Sequence, residues 1–258
     1  MHGAEGRGNV LWRMHASNKP ERPDAPELDG VLGSRAPVVR AMWDGSLGCT
    51  VRCVPSRRTV AVPFEGGWLF GKWRVGHRGD AAAEWHWLHV LPLLGLRVPE
   101  PVAWIGRGRR SLLVTAGLAG RAMDAWIVEA AAGGWLPELV VWACRRVAPL
   151  VRRLHDRGLV YRDLYWNHVF VAAPREGAEP HFLDVERVFR PRLWLRRWRV
   201  KDLAGLLSSV PAGVQLPRYA GLRFLRYYLD EPLRDHRRLL QAIARKAARI
   251  RAHRPRYG

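Results

Sequence analysis

The hydrophobic pattern changes period once along the chain, near Gly117, and that change limits the fold more than any other feature. Between Thr50 and Thr115 the apolar residues come in short runs divided by turn-forming residues: TVRCVP, RTVAVPF and, after Glu65-Gly66-Gly67, WLFGKWRV. Runs of this length, rich in Val, Trp, Phe and Thr, predict three antiparallel strands joined by Ser56-Arg57-Arg58 and by Glu65-Gly66-Gly67. Asp80 is placed to cap a helix in which Glu84, Leu88 and Leu91 fall on neighbouring faces, and Pro92 disrupts its end. Two more strands are expected over Pro101 to Ile105 and Arg110 to Thr115, which makes a five-stranded lobe with one helix.

After Gly117 the runs lengthen and take a helical spacing. Leu136 to His155 carries Val140, Val147, Leu150, Val151 and Leu154 near one face, so a single helix is predicted there, with Pro149 as the residue that would kink it. Gly158 ends it. The stretch GLVYRDLYWNHVFV follows, then an apolar strand ending HFLDVER, then helices over about 200 to 209, 218 to 229 and 232 to 252. The expected fold is α+β and bilobal: a flexible leader over 1–35, a β-rich lobe over 36–116 built on a small antiparallel sheet, and a larger, mainly helical lobe over 117–258.

Composition narrows the function classes. With 258 residues, 48% of them hydrophobic, the chain can bury a full core. Cys49, Cys53 and Cys144 are too few for a disulfide framework, and the C-x3-C pair has no second pair to complete a zinc site. The opening residues show no apolar run of a signal peptide, and no segment reaches the length of a membrane span, so a cytoplasmic protein, soluble or peripheral at the membrane, is expected. The formal charge of +20 favours polyanions, among them phosphorylated glycans, anionic membrane and nucleic acid. A coding bias toward Arg accounts for that charge equally well. No nucleic-acid-binding motif accompanies it, so no specific nucleic acid is expected, and the oligomeric state is left open.

Phosphoryl transfer from ATP needs a cation on the phosphates, a group to hold that cation, a carboxylate for metal and a carboxylate near the acceptor hydroxyl. Lys72 in LFGKWRV, Glu84 on the next helix, Asp163 in YRDLYWNH and Asp184 in HFLDV supply these types in that chain order. Singly, each has an ordinary structural reading as a solvated charge or a turn residue. Their joint order is what points to chemistry.

These segments resemble the protein-kinase-like superfamily and, more closely, the lipopolysaccharide core heptose and Kdo kinase family. LGLRVPEPVAW, LHDRGLVYRDLYWNHVFV, FLDVERV and VKDLAGLLSSV carry the likeness over about residues 50 to 210. The resemblance implies ATP and Mg2+ as cofactors, Lys72 on the phosphates, Glu84 as its ion-pair partner, Asp163 at the acceptor hydroxyl and Asp184 on magnesium. It also implies a sugar hydroxyl of the lipopolysaccharide inner core as acceptor. A kinase for a protein or another small molecule, and a catalytically silent anion-binding module, are the competing readings.

Departures from the general kinase pattern add candidates. No G-x-G-x-x-G precedes Lys72, so Arg57 and Arg58 are the expected phosphate-binding groups, with Gly45 and Gly48 of GSLGC as an early and weaker loop. Tyr161 stands where kinases have His and is expected to pack under the loop. His168 stands at the metal-binding Asn position, to ligate metal or to orient Asp163. Trp194 and Trp198 would share a helical face among arginines, and the last helix sets Leu239, Ile243, Ala247 and Ile250 opposite a basic edge. That helix would lie on an anionic membrane or dock on the large lobe.

Overall fold

A computed structural model describes residues 32–76 and 81–252. Five antiparallel strands, β1 (Cys49–Val54), β2 (Arg57–Phe64), β3 (Gly67–Val75), β4 (Pro101–Arg107) and β5 (Arg110–Ala116), form one sheet in the order β1-β2-β3-β5-β4. The pleat of β3 gives that sheet two different faces. Leu69, Gly71 and Trp73 face one way, into a core with Val39 and Met42 of helix α1 (Ala36–Asp44). Gly71 is required there: a Cβ would stand 2.6 Å from the Met42 side chain. Phe70, Lys72 and Arg74 alternate onto the other face, toward helix α2 (Ala82–Leu93) and the cleft.

Helix α1 is a second helix of this lobe that the strand pattern did not predict. Its signals are local: Pro37 in the first turn and Gly45 in a left-handed C-cap. Gly45 and Gly48 therefore turn the chain from α1 into β1. The first connection is also corrected. Arg57 and Arg58 belong to β2, and only Pro55 and Ser56 lie between the strands. Asp80, the expected cap, lies outside the described residues, as do residues 1–31 of the expected leader; Gly33–Arg35 form a single 3-10 turn.

The large lobe begins with β6 (Arg121–Ala122) and α3 (Met123–Ala132). The single helix expected over 136–155 is two, α4 (Leu136–Arg146) and α5 (Ala148–Asp156), because Pro149 has no N–H to continue the ladder and instead occupies the first turn of the second helix. Strands β7 (Val169–Val171) and β8 (His181–Phe182) extend β6 into a three-stranded sheet in the order β6-β7-β8, and the loop bearing Asp163 leads into β7. Helices α6 (Leu195–Ser208), α7 (Ala220–Leu229) and α8 (Arg237–Ala252) complete the lobe. Leu88, Leu91 and Trp104 of the small lobe join Met123, Leu154 and Phe182 of the large one in a continuous core. The lobes are therefore not independent.

Helix α8 packs on α6 with Ile243 and Ala247 buried and Leu239 and Ile250 partly so. Of the two roles expected for it, the apolar stripe serves docking on the large lobe and is unavailable to a bilayer.

Candidate active site

The cleft between the lobes is lined by Thr59, Phe70, Lys72, Glu84, Leu183 and Asp184, around a cavity of about 190 Å3. Lys72 and Glu84, one on the sheet and one on α2, meet in an ion pair; Glu84 is almost fully buried. Arg74 reinforces it. Its guanidinium donates to Glu84 Oε2 at 3.0 Å and holds Glu186 through two bonds, Nη1 to Oε1 at 2.8 Å and Nη2 to Oε2 at 2.7 Å. Arg74 follows Lys72 by two residues on one strand, so alternation alone would have placed it on the cleft face. Glu186 was equally overlooked, two residues after Asp184.

The register explains the two arginines of β2. Thr59 pairs with Lys72 and Arg57 with Arg74, so Arg57 shares the cleft face and lies 3.6 Å from Glu186. Arg58 turns to the opposite face and donates from Nε to Thr50 Oγ1 at 2.9 Å. Of the expected pair, the structure brings only Arg57 to the cleft.

Asp184 follows β8 in a left-handed conformation, φ 58°, which turns its carboxylate off the strand. Burial alone would raise its pKa, but the positive charges of Lys72, His168, Arg57 and Arg74 outweigh that and hold it below the ordinary carboxylate range. His168 stands between the two aspartates: Nδ1 is 2.8 Å from the Asp163 main-chain oxygen and Nε2 is 3.9 Å from Asp184 Oδ2. A carbonyl only accepts, so Nδ1 carries a proton, and Nε2 is the ring nitrogen turned toward Asp184.

Asp163 is clamped by cations. Arg187 Nη1 lies 2.7 Å from Oδ2 and Lys201 Nζ 3.5 Å from Oδ1. The loop beneath it is fixed by a residue the motifs did not single out, Asp202 of α6, which is fully buried. Its Oδ2 accepts the Tyr161 N–H at 2.6 Å and its Oδ1 the Arg162 N–H at 2.7 Å, while His155 Nε2 lies 3.1 Å from Oδ2 and His155 Nδ1 2.8 Å from the Tyr228 hydroxyl. Tyr161, wholly buried, donates its hydroxyl to the Leu183 carbonyl and so ties the Asp163 loop to the segment bearing Asp184. Trp198 packs edge-on against Phe189, whereas Trp194 precedes α6 in a left-handed conformation and is largely exposed, so the two do not form one packed face.

The sequence profile of the lipopolysaccharide kinase (Kdo/WaaP) family matches residues 72–228, from the cleft lysine to the tyrosine that meets His155. The chain belongs to this family. The lipopolysaccharide core heptose(I) kinase WaaP of Escherichia coli K12 is 28% identical over 247 residues, covering 82% of this chain and 90% of that protein. WaaP of Pseudomonas aeruginosa PAO1 is 31% identical, with 82% and 89% covered. Among solved structures, WaaP in complex with acyl carrier protein aligns with a TM-score of 0.68 at 27% identity, over 86% of this chain and 95% of that one. An aminoglycoside-3'-phosphotransferase of type VIII aligns at 0.55 and 20% identity, over 82% and 99%, a likeness of fold alone. This lipopolysaccharide kinase family member thus has the bilobal protein-kinase-like fold and is an ATP-dependent phosphotransferase with an alcohol acceptor.

Proposed function

We propose that the chain transfers the γ-phosphoryl group of ATP to a sugar hydroxyl of the lipopolysaccharide inner core, on heptose or Kdo. The observation that carries the reading is the placement of His168 between the Asp163 loop, whose main-chain oxygen lies 2.8 Å from Nδ1, and Asp184, 3.9 Å from Nε2, which sets the two aspartates on one side of the cleft. Lys72, held by Glu84, offers its ammonium to the nucleotide phosphates, and Arg57 adds a second cation from β2. Asp163 receives the hydrogen bond of the acceptor hydroxyl. As that oxygen bonds to the γ-phosphorus, the bond to the bridging oxygen of ADP breaks and the hydroxyl proton passes to Asp163.

Mg2+ suits the donors present. Asp184 gives a hard oxygen, and His168 Nε2 lies 3.9 Å from it. The Glu84 and Glu186 oxygens, although within 4.8 Å of the Asp184 oxygen, are engaged by Lys72 and Arg74. Bound there, the ion would neutralise phosphate charge; the protein's part is to hold Asp184 ionised and His168 oriented.

Mass spectrometry of core oligosaccharide from wild-type and deletion strains tests the reading: one phosphate is lost on deletion, and an unchanged core in a lipopolysaccharide-making host refutes it. Asp163→Asn should cut turnover with nucleotide binding kept, and Asp184→Asn should weaken Mg-ATP binding as well.

Association with an anionic membrane face is the second element of the proposal. It is supported by the +20 charge, and no described helix is long and apolar enough to cross a membrane. Sedimentation with anionic but not neutral liposomes, reversed by salt, is expected; equal binding to both refutes it.

A further inference from the structure

Beside Asp163 a groove of about 980 Å3 runs between α6 and α8. Its walls carry eight cationic side chains and a single carboxylate, that of Asp163 itself. Arg187 and Lys201 already pair with that carboxylate, and Arg162 lies over the Trp198 ring. Arg196 and Arg197 of α6 and Arg245, Lys246 and Arg249 of α8 have no acidic partner among the described residues. Five like charges around one concavity repel one another and desolvate poorly, and an anionic occupant relieves both.

We propose that this groove is the subsite for the sugars flanking the acceptor, and that its cations bind carboxylate or phosphate groups on those sugars. The inference rests on the proposed sugar acceptor and adds what selects it. Arg245 and Arg249 are one turn apart, about 6 Å along the helix, so the groove suits an oligosaccharide with at least two separate anionic substituents. Tyr165 and the exposed Trp194 add flat ring faces suited to the C–H face of a pyranose. A bilayer fits less well: the surface is concave, it opens on the catalytic carboxylate, and the apolar stripe of α8 is turned into the lobe.

The test uses the full chain with deacylated inner-core oligosaccharide, native or after carboxyl reduction and dephosphorylation, and with Arg245→Gln/Lys246→Gln/Arg249→Gln. Calorimetry without ATP and steady-state kinetics are read together. The triple variant should raise KM for the native oligosaccharide at least tenfold, with kcat at saturation within about twofold and the ATP KM unmoved. Neutralising the oligosaccharide should cost the wild type a similar factor and the variant little more, and Arg245→Lys/Arg249→Lys should restore most of the binding. Calorimetry should show the same losses. An unchanged KM, or an equal rise for charged and neutral acceptors, overturns the subsite. So does loss of anionic-vesicle binding with the oligosaccharide KM intact, which would make the α8 edge a membrane contact. Charge-dependent binding without transfer would instead refute the sugar-kinase reading and leave the groove standing; neither binding nor transfer refutes both.

Discussion

Replacing Asp202 by Asn keeps the volume of a buried side chain and removes half of what it does. Both carboxylate oxygens accept main-chain N–H groups of the loop bearing Asp163, from Tyr161 at 2.6 Å and Arg162 at 2.7 Å, and Oδ2 also faces His155. An amide has one accepting oxygen. If that oxygen keeps Tyr161 and His155, its NH2 faces the Arg162 N–H, donor against donor. An orphaned buried donor costs about 1–3 kcal/mol, and lost charge assistance in the remaining bonds roughly doubles the damage, so about 3–4 kcal/mol of stability should go. The loss is directed, because Arg162 sits at φ 72°, a conformation about 1–3 kcal/mol above the usual ones that its hydrogen bond to Asp202 helps to hold. Once the bond is gone the loop relaxes and moves Asp163, the next residue. A shift of about 1 Å costs on the order of 100-fold. Urea unfolding with kcat and the ATP KM reads all three quantities: a lower midpoint, kcat down about 100-fold, and the ATP KM within a few-fold. Retained kcat together with the stability loss would show that Arg162 is held by something else, and the reasoning would fail.

Arg74→Met should lose about 3–5 kcal/mol, because the buried Glu84 keeps only Lys72 and Glu186 only the longer contact to Arg57; Glu186→Met added should recover the Glu186 share but not the Glu84 share, and an unaffected single variant would contradict the reasoning. Burial lowers the Lys201 pKa below 10.5 despite Asp163, so the group sheds its proton in the native state before it would in the unfolded chain. Between those two values the unfolded chain binds more protons and stability rises with pH, while turnover that uses the cation falls; Lys201→Arg should move that alkaline limb upward, and an unmoved limb would deny Lys201 a part. A native thiol titration at pH 8 should find Cys49 and Cys53 reactive and Cys144, whose burial pushes its pKa up to about 11, silent until unfolding; three fast thiols would disprove the buried placement.

The site was legible in the sequence wherever one residue's neighbours in the chain are also its neighbours in the fold. Lys72 on a strand, Glu84 in the first turn of α2 and Asp184 past an apolar pair are of that kind. Arg58 was misplaced because one residue of error in a turn flips a side chain to the other face of a sheet. Asp202 carried no such local cue: it sits mid-helix in VKDLAG, and only folding brings it under a loop 40 residues earlier. The break between α4 and α5 was visible as Pro149, but a proline marks both a kink and a first turn, and the choice between them depends on packing. Helix α1 escaped because nine residues are too short for a periodicity to stand out.

The second wall of the basic groove, α8, is also the last described element of the chain. A growing polypeptide can assemble the sheet, α2 and the catalytic loop, and with them a cleft for nucleotide, before that helix has been synthesised. Until it docks, the inner side of α6 lacks the cover of Ile243 and Ala247 and the acceptor side of Asp163 lies open to water. Helix α8 is therefore the last wall that synthesis supplies to the groove proposed above for the acceptor. Chains cut short before residue 237 should lose acceptor affinity before they lose ATP binding, read by calorimetry with each ligand.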